Sequence, residues 1–137
     1  MKKFLILLLL MTFPFTASAN TYEMRKAEIQ PKIEHYAKKY NVPVELLNHI
    51  VAKESSYNRS VVGDTHLTCK SKRSPFYGKP IRARGLVQIT DCYWPEVTDE
   101  MATDDDFALD FLAYWISKGK CRTFWSTCPI PKHLAKK

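Results

Sequence analysis

The chain has no pair of CxxC units, no internal repeat and no low-complexity block. The first absence argues against a structural zinc site, which needs closely spaced ligand pairs. The others argue against a solenoid or a disordered linker protein. Beyond the first residues no apolar run approaches membrane-spanning length. No strongly amphipathic basic helix points to a lipid surface. No cysteine follows Ala19, so a lipid anchor at that position is not expected.

What is present begins with a processing signal. Lys2-Lys3 form a basic n-region, Phe4 to Met11 an apolar h-region, and Ala17-Ser18-Ala19 a small-residue cleavage site. Residues 1–19 are therefore expected to be removed, leaving an exported chain, periplasmic or secreted, from Asn20 to Lys137. Those 118 residues suffice for one domain with one core. Without Lys2 and Lys3 the 21 basic residues fall to 19, and against 14 acidic ones the mature charge is +5. In an exported chain this charge suits anionic cell-envelope polymers better than nucleic acid, or serves only solubility. Cys69, Cys92, Cys121 and Cys128 read as two disulfides in an oxidising compartment. Of three possible connectivities, Cys121 with Cys128 and Cys69 with Cys92 is favoured: a short closed loop, and a staple on a long irregular segment.

Ile29, Ile33, Tyr36, Ala37 and Tyr40 mark one face of a helix from Ile29 to Tyr40, with Pro31 in its first turn. Pro43 can open the next helix, which ends in the turn Ser55-Ser56-Tyr57-Asn58. Arg59 to Arg84 reads as a long loop, or a loop with a short hairpin around Tyr77-Gly78. It carries Lys70, Lys72, Arg73, Lys79, Arg82 and Arg84. Long loops in compact domains are uncommon and often functional. Gly85 to Thr90 is a short apolar element holding one amide, Gln88. Asp104-Asp105-Asp106 suits a helix N-terminus as cap and dipole partner. Phe107, Phe111, Tyr114 and Trp115 follow as an aromatic stripe expected in the core, and Lys118-Gly119-Lys120 closes that helix.

The most apolar helix-like stretch, Val44 to Ser55, ends on an acid. Leu47, Ile50, Val51 and Glu54 fall at i, i+3, i+4 and i+7, so Glu54 continues the core-facing stripe. A carboxyl group that loses water favours its protonated form, the state a proton donor needs. A glutamate on a solvated face or a frayed helix end would not have this property, so the surroundings of Glu54 decide.

Tyr40-Asn41-Val42-Pro43, then Glu54-Ser55 with Tyr57-Asn58, then Ala83-Arg84-Gly85-Leu86-Val87-Gln88-Ile89 together resemble the lytic transglycosylases of the soluble, glycoside hydrolase family 23 type in the lysozyme-like superfamily. The resemblance spans about Ile29 to Gly119. It implies a mainly α (α+β lysozyme-like) single domain at 20–137, with a core at about 29–129 and a basic tail at 130–137. Helices would surround one core, with a long irregular loop or short hairpin. It further implies a monomer acting on peptidoglycan glycan strands without metal or organic cofactor. Glu54 would protonate the glycosidic oxygen between N-acetylmuramic acid and N-acetylglucosamine. It would then accept the proton of the muramoyl C6 hydroxyl as a 1,6-anhydro ring closes. Most glycosidases use a second carboxylate; here the substrate's N-acetyl group takes that part.

Further site residues stay open between two readings each. Ser55 could bond near Glu54 or the N-acetyl group, or its own helix backbone. Gln88 offers a donor and an acceptor to an amino sugar, and a glutamine in an apolar run needs partners. Gly85 marks a close backbone approach or a simple turn. Trp125 could stack on a sugar or pack on a disulfide. Glu54 to Gly85 spans 31 positions, roughly twice the family's usual interval. The family's later Ala-Tyr-Asn motif is replaced by Phe124-Trp125-Ser126-Thr127-Cys128-Pro129. The residue supporting Glu54 is therefore undecided among Tyr57, Tyr93, Tyr114 and Trp125. A hydrolytic, goose-type reading would need a water-positioning aspartate. Thr90 stands in its place, and Asp91 and Asp64 are expected to be exposed loop residues. A non-catalytic glycan-binding module is the other alternative. The setting is open among a secretion or conjugation apparatus, a bacteriophage and wall turnover.

Overall fold

The structure, a computed structural model, describes residues 17–129, and for residues 17–20 the backbone alone. The expected signal segment, apart from Ala17–Ala19, and the tail at 130–137 lie outside the described residues. Among the described residues no helix is long and apolar enough to cross a membrane.

The first helix, α1, runs Ala17–Tyr40, so it starts well before the expected Ile29 and holds Pro31 in its interior. An interior proline removes one backbone hydrogen bond at a cost of about 3 kcal/mol. Pro31 is on the exposed side, where water can reach the freed carbonyl, while Ile29, Ile33 and Ala37 are buried on the other side. Each large aliphatic side chain so buried contributes roughly 1.5–3 kcal/mol, enough to hold the helix across the defect.

Helix α2, Val44–Ser55, buries Leu47, Ile50 and Val51, the stripe seen in the sequence. It packs on α1, and α1 packs on α4, Asp105–Ser117. Asp104 caps α4 by accepting the Phe107 backbone N–H at 2.7 Å, as the acidic cluster suggested. Outside the core, Lys32 and Tyr36 bond Asp106, and Lys39 and Tyr40 bond Asp110, zipping α1 to α4. Gly119, with φ 72°, ends the turn after α4, its N–H donating to the Ile116 carbonyl at 2.9 Å.

The aromatic stripe is not the core face of α4. Ala108, Leu109, Leu112 and Ala113 are, all fully buried, whereas Phe107, Phe111 and Trp115 are half-buried and Tyr114 is exposed. The contact with α1 is close, so small and aliphatic residues occupy it, and the rings are displaced to the flank. There they cluster around Trp94, 4.9 Å from Phe111 and 5.6 Å from Trp115 between centroids.

The region expected as a loop carries a small antiparallel sheet of β1 (Val62–Gly63), β2 (Ala83–Arg84) and β3 (Ile89–Thr90), in that order. Val62 pairs with Arg84 and Arg84 with Ile89, so Gly85–Gln88 is the turn of a tight β2–β3 hairpin. Between β1 and β2 the chain folds back, with Thr68 bridged to Pro80 and the Gly78 N–H donating to the Cys69 carbonyl at 2.9 Å. Cys69–Cys92 staples this excursion, and Ile81 and Phe76 pack on the staple as a second small core. Cys121–Cys128 closes the short loop that starts with helix α5, Cys121–Phe124. A one-turn helix α3, Asp99–Thr103, links the sheet to α4. Arg84 does not belong to the exposed basic cluster. It is buried, with Nη1 donating to the Val97 carbonyl and to Asp99, and Asp99 also takes Arg82.

Candidate active site

Glu54 lies in the last turn of α2, where the apolar stripe meets the surface, and is partly buried. Burial pushes its carboxyl above the ordinary glutamate range; the Thr127 hydroxyl pulls it back down, and the charge of Asp64 pushes it up again. The chain leaves the helix abruptly behind it. Ser56 and Tyr57 both take left-handed backbone, at φ 51° and 58°, a conformation that costs non-glycine residues of order 1 kcal/mol or more. The Tyr57 side chain offsets that cost. It is buried, its hydroxyl donates to Asn48 Oδ1 at 2.9 Å, and its ring meets Tyr22 edge-on. Burial raises the Tyr57 phenol to about 12.

No tyrosine supports Glu54 among the described residues. Its partner is Thr127, whose Oγ1 donates to Oε1 at 2.5 Å. Helix α2 grips Thr127 a second time, His49 Nε2 donating to its carbonyl at 3.1 Å. Thr127 precedes Cys128 in the stapled loop, and Trp125 anchors the same loop by donating its indole N–H to the Val87 carbonyl at 2.8 Å. The missing Ala-Tyr-Asn motif was the one sequence signal that something else must hold the acid. Nothing in local spacing marks Thr127, which lies 73 positions away.

The other residues singled out in the sequence divide. Ser55 is buried and donates to the Val51 carbonyl at 3.1 Å, bonding its own helix. Gly85, at φ 77°, lies so close to α3 that an added Cβ would sit 1.9 Å from the Ala102 carbonyl oxygen. It is a close approach of backbone to backbone within the fold. Gln88 is partly buried and also at positive φ, and its Nε2 donates to the carbonyls of Gly85 at 3.0 Å and Val61 at 3.2 Å. A Cβ at Gly63 would fall 2.6 Å from Gln88 Oε1, so glycine there makes room for the amide. The side chain braces β1 to the β2–β3 turn. Trp125 is buried. Asp91, expected to be exposed, is buried, with Oδ1 accepting the Arg82 backbone N–H at 3.0 Å. Asp64 is exposed, at φ 61°.

A cavity of about 470 Å³ opens beside this wall, bounded by Gln88 and Thr90, by Tyr93 and Trp94, by Phe111, and by Phe124 and Trp125. Its lining is mainly aromatic and does not include Glu54. The acid connects to the cavity's far wall through Thr127, two residues from Trp125. Tyr93 and Trp94, which sequence reasoning did not assign to substrate, are prominent in it.

Compared with known families, residues 31–110 match the family model described as the transglycosylase SLT domain, more than half of the chain. Glu54, Gly85 and Gln88 fall inside the matched range, whereas Thr127 and Trp125 lie beyond it. No curated protein and no solved structure matches the chain.

Proposed function

The chain belongs to the transglycosylase SLT domain family, and from that premise we propose that it is a peptidoglycan lytic transglycosylase with Glu54 as its lone acid/base. The observation that carries this reading is the state of Glu54: a half-buried carboxyl with a raised pKa, at a strained helix exit, with one hydroxyl partner. A raised pKa makes the carboxyl hold its proton to higher pH than an ordinary glutamate, which suits the first proton transfer to the glycosidic oxygen between N-acetylmuramic acid and N-acetylglucosamine. As that bond breaks, the substrate's N-acetyl oxygen shields the anomeric carbon. The carboxylate then accepts the C6 hydroxyl proton as that oxygen closes the 1,6-anhydro ring. The aromatic cavity offers ring faces to the apolar sides of sugars.

A hydrolytic outcome has one specific support, Asp64, whose charge reaches Glu54. It is exposed and would have to hold a water without help from a buried partner. Asp91 is committed to the Arg82 backbone. Mass spectrometry of digested sacculi decides the matter, because anhydro ends are one water lighter than hydrolytic ends. We expect anhydro ends; reducing ends would assign the hydrolase. Glu54→Gln should lower turnover by roughly 10²–10⁴-fold while glycan binding persists, and retained turnover would refute the mechanism.

Export is part of the same proposal. The basic and apolar N-terminal segment, the small-residue site before Asn20 and the paired cysteines all suit a chain that acts at the wall.

A further inference from the structure

From Thr65 to Thr90 the chain holds 26 residues without one aspartate or glutamate, and six lysines and arginines. Arg82 and Arg84 are tied to Asp99. The remaining four, Lys70, Lys72, Arg73 and Lys79, are exposed and have no ion-pair partner among the described residues. They sit on the folded-back excursion between β1 and β2, a built element. Cys69 is bonded to Cys92, the Cys69 N–H donates to the Lys79 carbonyl at 2.9 Å, and the Ile81 N–H donates to the Leu67 carbonyl at 2.8 Å. A fixed hairpin that displays only cations is an electrostatic receptor for an anion.

The position of the hairpin selects the anion. Its base is the wall of the candidate site: Gly63 makes room for the Gln88 amide, Asp64 acts on Glu54, and Ala83 pairs with Thr90 at the cavity rim. Lys79 is four residues before Ala83 on the chain leading into β2, within about 13 Å at the rise of extended chain. A stem peptide on muramic acid, about four residues long, reaches a similar distance, roughly 13 Å when extended. Its free carboxylates would thus reach the cationic hairpin when its sugar lies at the cavity rim beside Thr90. Leu67 and Tyr77, 45% and 54% exposed on the same hairpin, offer apolar contact to the peptide's side chains.

We propose that the Cys69–Cys92 hairpin is a docking site for the carboxylates of peptidoglycan stem peptides, so that this chain prefers peptide-bearing strands over bare glycan. This deepens the proposed function and rests on it for the identity of the polymer. The test is direct binding, which is read independently of turnover. Dissociation constants are measured for soluble peptide-bearing strands and for strands stripped of stems by an amidase. They are measured for the intact chain and for the triple variant Lys70→Ser, Lys72→Ser, Arg73→Ser, whose residues are exposed and unpaired. The intact chain should bind peptide-bearing strands about tenfold more tightly, a preference that shrinks in 0.5 M salt through screening, and the triple variant should lose it. Equal affinity of the intact chain for both substrates, or an unchanged preference in the variant, overturns the proposal. So does tighter binding to vesicles of anionic phospholipid that the variant loses, which would make the hairpin a membrane contact. Absence of anhydro product from either substrate would instead count against the proposed function, and leaves the binding ratio readable.

Discussion

The two disulfides close loops of very different length, and they do different work. Cys69–Cys92 spans 23 positions and encloses its own small core of Ile81 and Phe76. Cys121–Cys128 spans 7 positions, encloses no separate core of its own, and delivers one hydroxyl to Glu54. In the chain-entropy picture the longer loop contributes more, about 3 kcal/mol against about 2 kcal/mol. Stability thus favours the first staple, while the geometry at the acid depends on the second. A bond's contribution to folding and its contribution to a site are separate quantities, and this molecule sets them in opposition.

The largest expected effect is on folding. Replacing Cys69 and Cys92 by serine should lower the urea-unfolding free energy by about 3 kcal/mol, while turnover on peptide-free strands, per folded molecule, falls by less than tenfold. Replacing Cys121 and Cys128 should lower stability by about 2 kcal/mol yet reduce turnover more, because Thr127 loses its hold. If the order of the two turnover losses is reversed, the comparison breaks. Trp125, still bonded to Val87, limits how far the opened loop can move, so the loss should be partial.

A smaller change isolates the hydroxyl. Thr127→Val should lower turnover about fivefold, as expected for the loss of one hydrogen bond worth about 1 kcal/mol. That bond favours the carboxylate, so without it the Glu54 pKa rises further and the limb of the pH–rate profile set by Glu54 moves to higher pH. Thr127→Ser should restore both, whereas a void left by the methyl group would not move the limb.

The smallest effect concerns Glu54 itself. Its pKa is raised in the folded chain, so the ionised acid opposes folding above the folded pKa, and that opposition fades as pH falls toward the unfolded value. Glu54→Gln should therefore melt at a slightly higher temperature at pH 7, with the gain shrinking at acid pH. A gain that grows on acidification would mean that burial is not the dominant cause.

Much of this organisation could be read along the chain because it depends on local periodicity and local chemistry. The stripe Leu47, Ile50, Val51 carrying Glu54, the Asp104 cap and the Gly119 stop all follow from helix geometry within a few residues. The cysteine pairing was legible too, since one pair closes a short loop and the other staples a long segment without helical periodicity. The proline was misleading. Helix propensity places Pro31 at a start, but buried isoleucine on the opposite face of α1 holds the helix through it.

Periodicity also failed at α4, for a physical reason. It reports where the apolar residues lie around the axis but not which of them a neighbour will cover. The close packing of α1 selected Ala108, Leu109, Leu112 and Ala113 and left the rings on the flank, where Phe111 lines the cavity. Gln88 lines the cavity and also braces Gly85 and Val61; the second partner could not be read locally, because Val61, next to β1, is 27 positions away.

By itself the sequence determined that Glu54 would end an apolar helix, that four cysteines would pair, and that the segment between Glu54 and Gly85 would be long and basic. Those properties reside in neighbouring residues, and local forces suffice to express them. Only the tertiary structure decided what holds the acid and what faces it. Thr127 reaches Glu54 across 73 positions because the Cys121–Cys128 staple and the Trp125 indole fix the returning chain there. Contacts of that range depend on how the whole core packs, and no stretch of the chain carries them alone.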